Sequence, residues 1–392
     1  MVIKGARVYT SGFKFTEKII ITDDMFVERV MDEDDFASDF MACESNSENV
    51  IDASGLLAIP GLVDIHFHGA MGYDFCDADC NGLKEIAKYE AAHGITAICP
   101  ATMTFSEEIL GGIMEKAGEF VEDYNEAKLV GINMEGPFIS PEKIGAQNPA
   151  YLMNPDTGMF KRLQKKSGNL IKLVDIAPEL PGSFEFIREL EKDVNISIAH
   201  TNCDYDTAIR AFDLGACHVT HLFNAMPLMS HRLPGPVCAA MEKQAEVELI
   251  ADGIHVHPAM VRFVFNTFSE EKIILISDSM EATGLPDGDY QLGGQAVKVI
   301  GKKAVLANNS QTIAGSVTNL YDCMVSAVKM GISKEAAIRA ATINPAKAIG
   351  IEDRYGMIKK GVYANILLVD EELNIIYIIN RGKIIYSTAV CE

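Results

Sequence analysis

The chain has no basic excess: 34 Lys and Arg stand against 55 Asp and Glu, a formal net charge of −21. Sequence-independent nucleic-acid binding needs a cationic face, so this balance argues against a nucleic-acid partner. No apolar run approaches the roughly 20 residues of a membrane span, and "MVIKGARVYT" (1–10) lacks the long apolar core of a secretory signal. No membrane partner is expected. The 9 cysteines include no CxxC pair; an odd, scattered set reads as reduced thiols in the cytoplasm rather than a disulfide framework. "CDADC" (76–80) is the one close pair, and nothing similar recurs to complete a metal site with it. Internal repeats and low-complexity segments are also missing.

A length of 392 residues with 48% hydrophobic and 23% charged residues fits a large α/β domain with a smaller companion. Part of the acidic excess lies in "MDEDDFASDFMACESNSEN" (31–49), read as a solvated loop. In so acidic a chain an anionic substrate must be caught by a local cluster of cations.

The two ends read alike. "MVIKGARVYT", "EKIIITDDMFVERVM" and "ANILLVDEELNIIYIINRGKIIYS" (364–387) are β-branched and turn-punctuated, as strands are. Between them eight short apolar runs alternate with helical patterns: "LLAIPGLVDIHFH", "ITAICPAT", "LVGINMEG", "IKLVDIAPE", "NISIAH", "CHVTHLF", "VELIADGIH" and "KIILISDS". Helices are expected at "NGLKEIAKYEAAHG" (81–94) and "DTAIRAFDLGA" (206–216). Alternation of this kind predicts an α/β fold, a (β/α)8 TIM-like barrel over 57–349. Residues 1–56 and 350–392 would pair as a small, discontinuous β-sandwich domain.

Active sites of such barrels lie at the C-terminal strand ends, so each run can be asked what ends it. The answers are His66 and His68, Glu135, His200, His221, Asp252 with His255, and Asp278. These are the ligand types of zinc and related divalent ions. Each alone has a structural explanation; as one ordered series they point to a shared ion. His93 sits in a helix-to-strand turn, and His218 faces away from His221 by strand alternation, so both are read as structural. A divalent ion with an open position activates water and polarises a carbonyl, and a neighbouring carboxylate can carry the proton. Hydrolysis of an amide or related bond is the matching reaction class.

At these residues the sequence resembles the amidohydrolase superfamily and, within it, the N-acetylglucosamine-6-phosphate deacetylase family. The segments that carry the likeness are "PGLVDIHFHG" (60–69), "NMEGPFIS" (133–140), "IAHTNCDYD" (198–206), "THLFNAMPLMSHRLPG" (220–235), "IADGIHVHP" (250–258) and "ISDSMEATG" (276–284). "TIAGS" (312–316) and "ATINPAKAIGI" (341–351) extend it. The resemblance implies hydrolysis of the acetamide of N-acetyl-D-glucosamine 6-phosphate to D-glucosamine 6-phosphate and acetate. It implies a divalent metal on Glu135, His200 and His221, and Asp278 as catalytic acid and base. Some members lose the HxH pair and bind one metal; this chain keeps His66 and His68, so one or two metals per subunit are implied, with Asp278 as a further ligand of the second. Zinc fits this set, and iron, manganese or cobalt nearly as well.

The resemblance further places Ala146, Asn224, Ala225, Asp252, Gly253, Ile254, His255, Ile313, Ala314 and Gly315 against the sugar. Arg232 and His255 would bind the phosphate from the neighbouring subunit of a homodimer. One departure is plain: the family often has a histidine in a "KGAHNP"-like run, whereas this chain has "IGAQNP", with Gln147 in that place. Two rivals are a cyclic-amide hydrolase, against which Glu135 in "EGPF" counts, and a non-catalytic barrel, against which the full ligand series counts.

Overall fold

A computed structural model describes residues 1–40, 50–77 and 79–388. Its centre is a ring of parallel strands: β1 (Leu62–Asp64), β2 (Ile95–Ile98), β3 (Ile132–Met134, led by the short segment Lys128–Leu129), β4 (Ile171–Ile176), β5 (Asn195–Ile198), β6 (His218–Val219), β7 (Glu246–Ile250) and β8 (Ile273–Ile276). Neighbours in this order pair in parallel from β1 to β3's leading segment and from β3 to β8. An Ala101–Asn133 bridge joins β2 to β3. Beyond their ends β8 and β1 meet where Asp278 N–H donates to His66 O at 2.9 Å. Each strand leads into a helix, including Cys80–Ala92, Glu107–Glu119 and Tyr205–Asp213. The α/β barrel expected from the alternating pattern is therefore observed.

Local chemistry explains the helices. Asp79 caps the first through Asn81 and Gly82 N–H, and Gly94, at φ +81°, ends it just past His93. Asp204 caps Tyr205–Asp213 through Thr207 N–H. The helices bury Leu83, Ile86, Leu110, Met114 and their kind against the strands, while Val63, Ala97, Leu173, Ile250, Ile274 and Ile276 form a separate buried cluster.

The apolar run 57–68 serves two sheets. Leu57–Pro60 pairs with Arg7–Tyr9 and Ile366–Val369 in a sheet drawn from both ends of the chain, and Gly61 separates it from β1. A second sheet, of four strands, pairs Val2–Lys4, Ile19–Asp23, Phe26–Met31 and Val50–Asp52. Ile3, Val8, Ile20, Ala58, Ile366 and Leu368 from the two sheets share one buried cluster.

Two segments differ from the expectation. The acidic stretch read as a loop contains a helix, Glu33–Phe40, with three acidic residues in its first turn, where the helix dipole favours them; residues 41–49 lie outside the described residues. An antiparallel sheet of four strands, Gly288–Leu292, Gln295–Ile300, Lys303–Leu306 and Asn309–Ile313, follows β8. Gly293 and Gly294, at φ +55° and +78°, make its first tight turn. Among the described residues no helix is long and apolar enough to cross a membrane.

Candidate metal centre

The ends of β1, β3, β5, β6 and β8 converge on one cavity of about 300 Å³, whose lining includes His68, Glu135, His200, His221, His255 and Asp278. The turns that aim three of these side chains are unusual. His200, His221 and Asp278 have φ of +40°, +28° and +51°, a left-handed backbone that non-glycine residues rarely adopt and that costs roughly 1–3 kcal/mol each. Hydrogen bonds hold each in place: Ser140 N–H on His200 O, Glu248 Oε2 under His221 N–H, and Ser316 N–H on Asp278 O at 2.6 Å.

Glu135 is the hub. His200 Nε2 lies 3.0 Å and His221 Nε2 3.2 Å from its Oε1, and the two nitrogens are 3.2 Å apart. His200 Nδ1 donates to Lys143 O at 2.9 Å, which leaves a lone pair on Nε2 of the neutral ring. His66 Nε2 is 3.6 Å from Glu135 Oε1 and 3.8 Å from Asp278 Oδ1; His68 Nε2 is 3.5 Å from Glu135 Oε2 and 3.3 Å from Asp278 Oδ1.

Among the described residues two ligand triplets emerge, His66–Glu135–His221 and His66–His68–Asp278, each with its atoms within 4.8 Å of one another. Tetrahedral zinc with bonds near 2.1 Å separates its ligands by about 3.4 Å, which matches these spacings. His66 Nε2 is buried and has no hydrogen-bond partner among the described residues. Four histidine nitrogens and two carboxylates converging at these distances fit a divalent cation. The residues present therefore suit the metal that the ligand series implies.

The charges behave accordingly. Burial alone would raise the Glu135 pKa, but His66, His200 and His221 outweigh it and hold the carboxyl well below the ordinary value. Asp278 is likewise pushed up by burial and brought below its usual value by His68, His66 and His255. Beneath the centre, burial pushes Asp64 up to about 7 and Asp175 up to about 8.

The remaining expected residues divide. Ala146, Asn224, Ala225, Ile313 and Gly315 line the cavity with His255. Ala314 is buried behind them, and Asp252 supports His255, its Oδ2 2.7 Å from His255 Nδ1. Gly253 forms a turn at φ +79°, and Ile254 is exposed. Glycine is required at 315, where φ is +66° and a Cβ would stand 3.1 Å from Asp278 O.

Arg232 lies outside this cavity, in a surface hollow with Asn202, Asp204, Tyr205 and Leu233. The expectation that His255 is lent to a neighbouring site is corrected. Its ring is 4.0 Å from Asp278 Oδ2 and its side chain only 5% exposed, so it serves its own chain's cavity.

Gln147 fills the place of the family histidine and is bonded at both ends of its amide. It donates to Glu135 Oε2 at 2.8 Å and accepts Thr104 N–H at 2.7 Å. His93 bonds Tyr89 O, and His218 is buried against Glu248, as their structural reading expects. Cys76 is buried, its Sγ accepting Met103 N–H, and Asp79 is engaged as a helix cap. The sequence reading passed over Glu248, which supports His66, and Leu292, Gln311 and Thr312, which reach the cavity from the inserted sheet.

The comparisons with known proteins agree with this geometry. The model of the amidohydrolase family matches residues 57–389. The chain is 36% identical over 351 residues to the N-acetylglucosamine-6-phosphate deacetylase of Bacillus subtilis (strain 168), covering 88% of each. It is 30% identical over 347 residues to the N-acetylgalactosamine-6-phosphate deacetylase of Escherichia coli O157:H7, covering 88% of this chain and 91% of that one. Among solved structures, a substituted N-acetyl-D-glucosamine-6-phosphate deacetylase of Mycobacterium smegmatis, in complex with N-acetyl-D-glucosamine-6-phosphate, superposes with a TM-score of 0.89. It is 29% identical, and the match covers 99% of both chains. The chain belongs to the amidohydrolase family, in its N-acetylglucosamine-6-phosphate deacetylase group.

Proposed function

We propose that this protein hydrolyses the acetamide of N-acetyl-D-glucosamine 6-phosphate, giving D-glucosamine 6-phosphate and acetate. The observation that carries the reading is the convergence of His200 and His221 Nε2 on Glu135 Oε1, beside Asp278 in a small-molecule cavity. Relatives of 30–36% identity carry the names of deacetylases of two epimeric N-acetylhexosamine 6-phosphates. Amine release from both substrates, compared at equal concentration, tests the preference; a higher kcat/KM for the galacto epimer would overturn the assignment.

Glu135, His200 and His221 would hold one divalent ion, zinc by ligand preference, with His66, His68 and Asp278 able to hold a second. Such an ion, when bound, activates water and polarises the scissile carbonyl. Asp278, ionised at neutral pH, accepts the proton from the attacking water and returns it to the departing amine nitrogen, so the net reaction adds one water across the amide bond. His255, braced by Asp252, would hydrogen-bond the sugar with Asn224 and Ala225. Ala146 and Ile313 to Gly315 would form the wall around the acetamide.

Arg232 would reach the substrate phosphate of a second copy, making the active form a homodimer. The loop that carries it supports this, since Leu228 and Leu233 beside it are 91% and 73% exposed, an arrangement suited to burial in an interface. The free thiols agree with a cytoplasmic setting. Residues 1–56 and 350–392, together with Leu57–Pro60, which pairs there, would form a small β-sandwich domain beside the catalytic barrel.

A further inference from the structure

Below the centre, the barrel holds a buried carboxylate that the reaction does not use. Glu248, in the middle of β7, is fully buried. Its Oε2 lies 2.9 Å from His66 Nδ1 and accepts His221 N–H at 3.2 Å. Its Oε1 lies 3.1 Å from His218 Nε2. Oε2 accepts the His221 N–H and so acts as an acceptor toward the ring as well, with the facing His66 Nδ1 as donor. That fixes His66 with its proton on Nδ1 and its lone pair on Nε2, the atom aimed between Glu135 and Asp278 with no other partner among the described residues.

We infer that Glu248, clamped by His218, is a positioning residue that sets the tautomer of His66 and thereby decides whether the His66–His68–Asp278 half of the centre holds a divalent ion. The inference rests on the metal-centre reading above. The two halves depend on Glu248 unequally. Of Glu135, His200 and His221 it touches only the backbone N–H of His221, which a glutamine carbonyl can still accept, and it reaches them otherwise only through His66 Nε2, 3.6 Å from Glu135 Oε1. On the His66 side it contacts the ring itself, its Oε2 lying 2.9 Å from Nδ1, nearer than Asn133 Nδ2 at 3.4 Å. His218 lies at the start of β6, and its Nδ1 is 3.5 Å from Glu246 Oε2, so a second carboxylate braces the clamp from below. Loss of a carboxylate behind a ligating histidine typically weakens metal affinity by about 10–100-fold.

The test is a zinc titration of chelator-treated protein, read by calorimetry and by metal analysis after gel filtration, with circular dichroism to confirm the fold. Wild type should take up two equivalents. Glu248→Gln should keep the first and bind the second about 10–100-fold more weakly. His218→Gln, which leaves Glu248 on His66, should weaken the second by less. In a His66→Gln background, Glu248→Gln should have no further effect on the remaining ion. Two equivalents bound with unchanged affinities in folded Glu248→Gln would overturn the proposal. So would an equal loss of both ions, or a wild type that binds only one. None of these readouts uses substrate, so a failed deacetylase assignment and a failed Glu248 role are told apart.

Discussion

Replacing Gln147 with leucine probes how far the site rests on the residue that departs from the family pattern. The side chain is buried, and the two are similar in size, so little cavity forms. What changes is polar. Thr104 N–H loses its acceptor at 2.7 Å, an orphaned buried donor that costs about 1–3 kcal/mol. Glu135 Oε2 loses its donor at 2.8 Å, a bond to a charged group worth about 1.5–3 kcal/mol. Because His68 Nε2 still stands 3.5 Å from that oxygen, the second loss falls near its lower limit. The sum is about 2.5–4.5 kcal/mol, or roughly 60- to 1600-fold in the folding equilibrium. Urea unfolding of metal-free protein should show a lower midpoint with an unchanged slope. Gln291→Leu on an exposed strand should stay within about 0.5 kcal/mol. If Gln147→Leu also shifts stability by less than about 0.5 kcal/mol, the double hydrogen bond is not what holds Glu135.

Three further outcomes are expected. Asp278→Asn keeps the shape but cannot take a proton, so kcat should fall by about 10²–10⁴-fold while the fold, followed by circular dichroism, is retained; near-wild-type turnover would remove Asp278 from the mechanism. Arg232→Ala should raise KM for the phosphorylated sugar and leave an unphosphorylated analogue unaffected, and an equal loss on both would argue against a phosphate contact. The Asp252–His255 pair should give stability a defined pH window. Burial pushes the Asp252 carboxyl up, but His255 outweighs it and lowers the pKa, so this contribution is present above about 3.9 and lost as pH falls through the folded value. Burial pulls His255 down, but Asp252 outweighs it and raises the pKa, so that contribution is complete below about 6.5 and lost as pH rises through the folded value. Wild type minus Asp252→Asn should therefore be largest in mild acid and shrink on both sides; a pH-independent difference would contradict the pairing.

The centre was readable because barrel geometry places polar residues where apolar runs stop, and His66, Glu135, His200, His221 and Asp278 are those residues. The division of 57–68 between two sheets was not readable, since both sheets ask for the same continuous apolar strand and only the break at Gly61 marks the change. The inserted sheet had a signal in the glycines of "QLGGQ" and the alternation of "QAVKVI", which the short motif "TIAGS" overshadowed. Glu248 carried no such mark. A lone acid within "VELI" acquires its role only when the barrel closes and brings His66 and His218 to it. The placement of His255 in a neighbouring site came with the resemblance, whereas in this chain its ring lines the same cavity as Asp278, 4.0 Å from Oδ2.

The central claim is tested most directly by acetate release from N-acetyl-D-glucosamine 6-phosphate. The assay uses the purified protein as isolated, after chelation, and after reloading with zinc. The account predicts acetate and D-glucosamine 6-phosphate in equal amounts, abolished by chelation and restored by the metal. Reloaded, folded protein that releases no acetate, or chelated protein that turns over unimpaired, would contradict it.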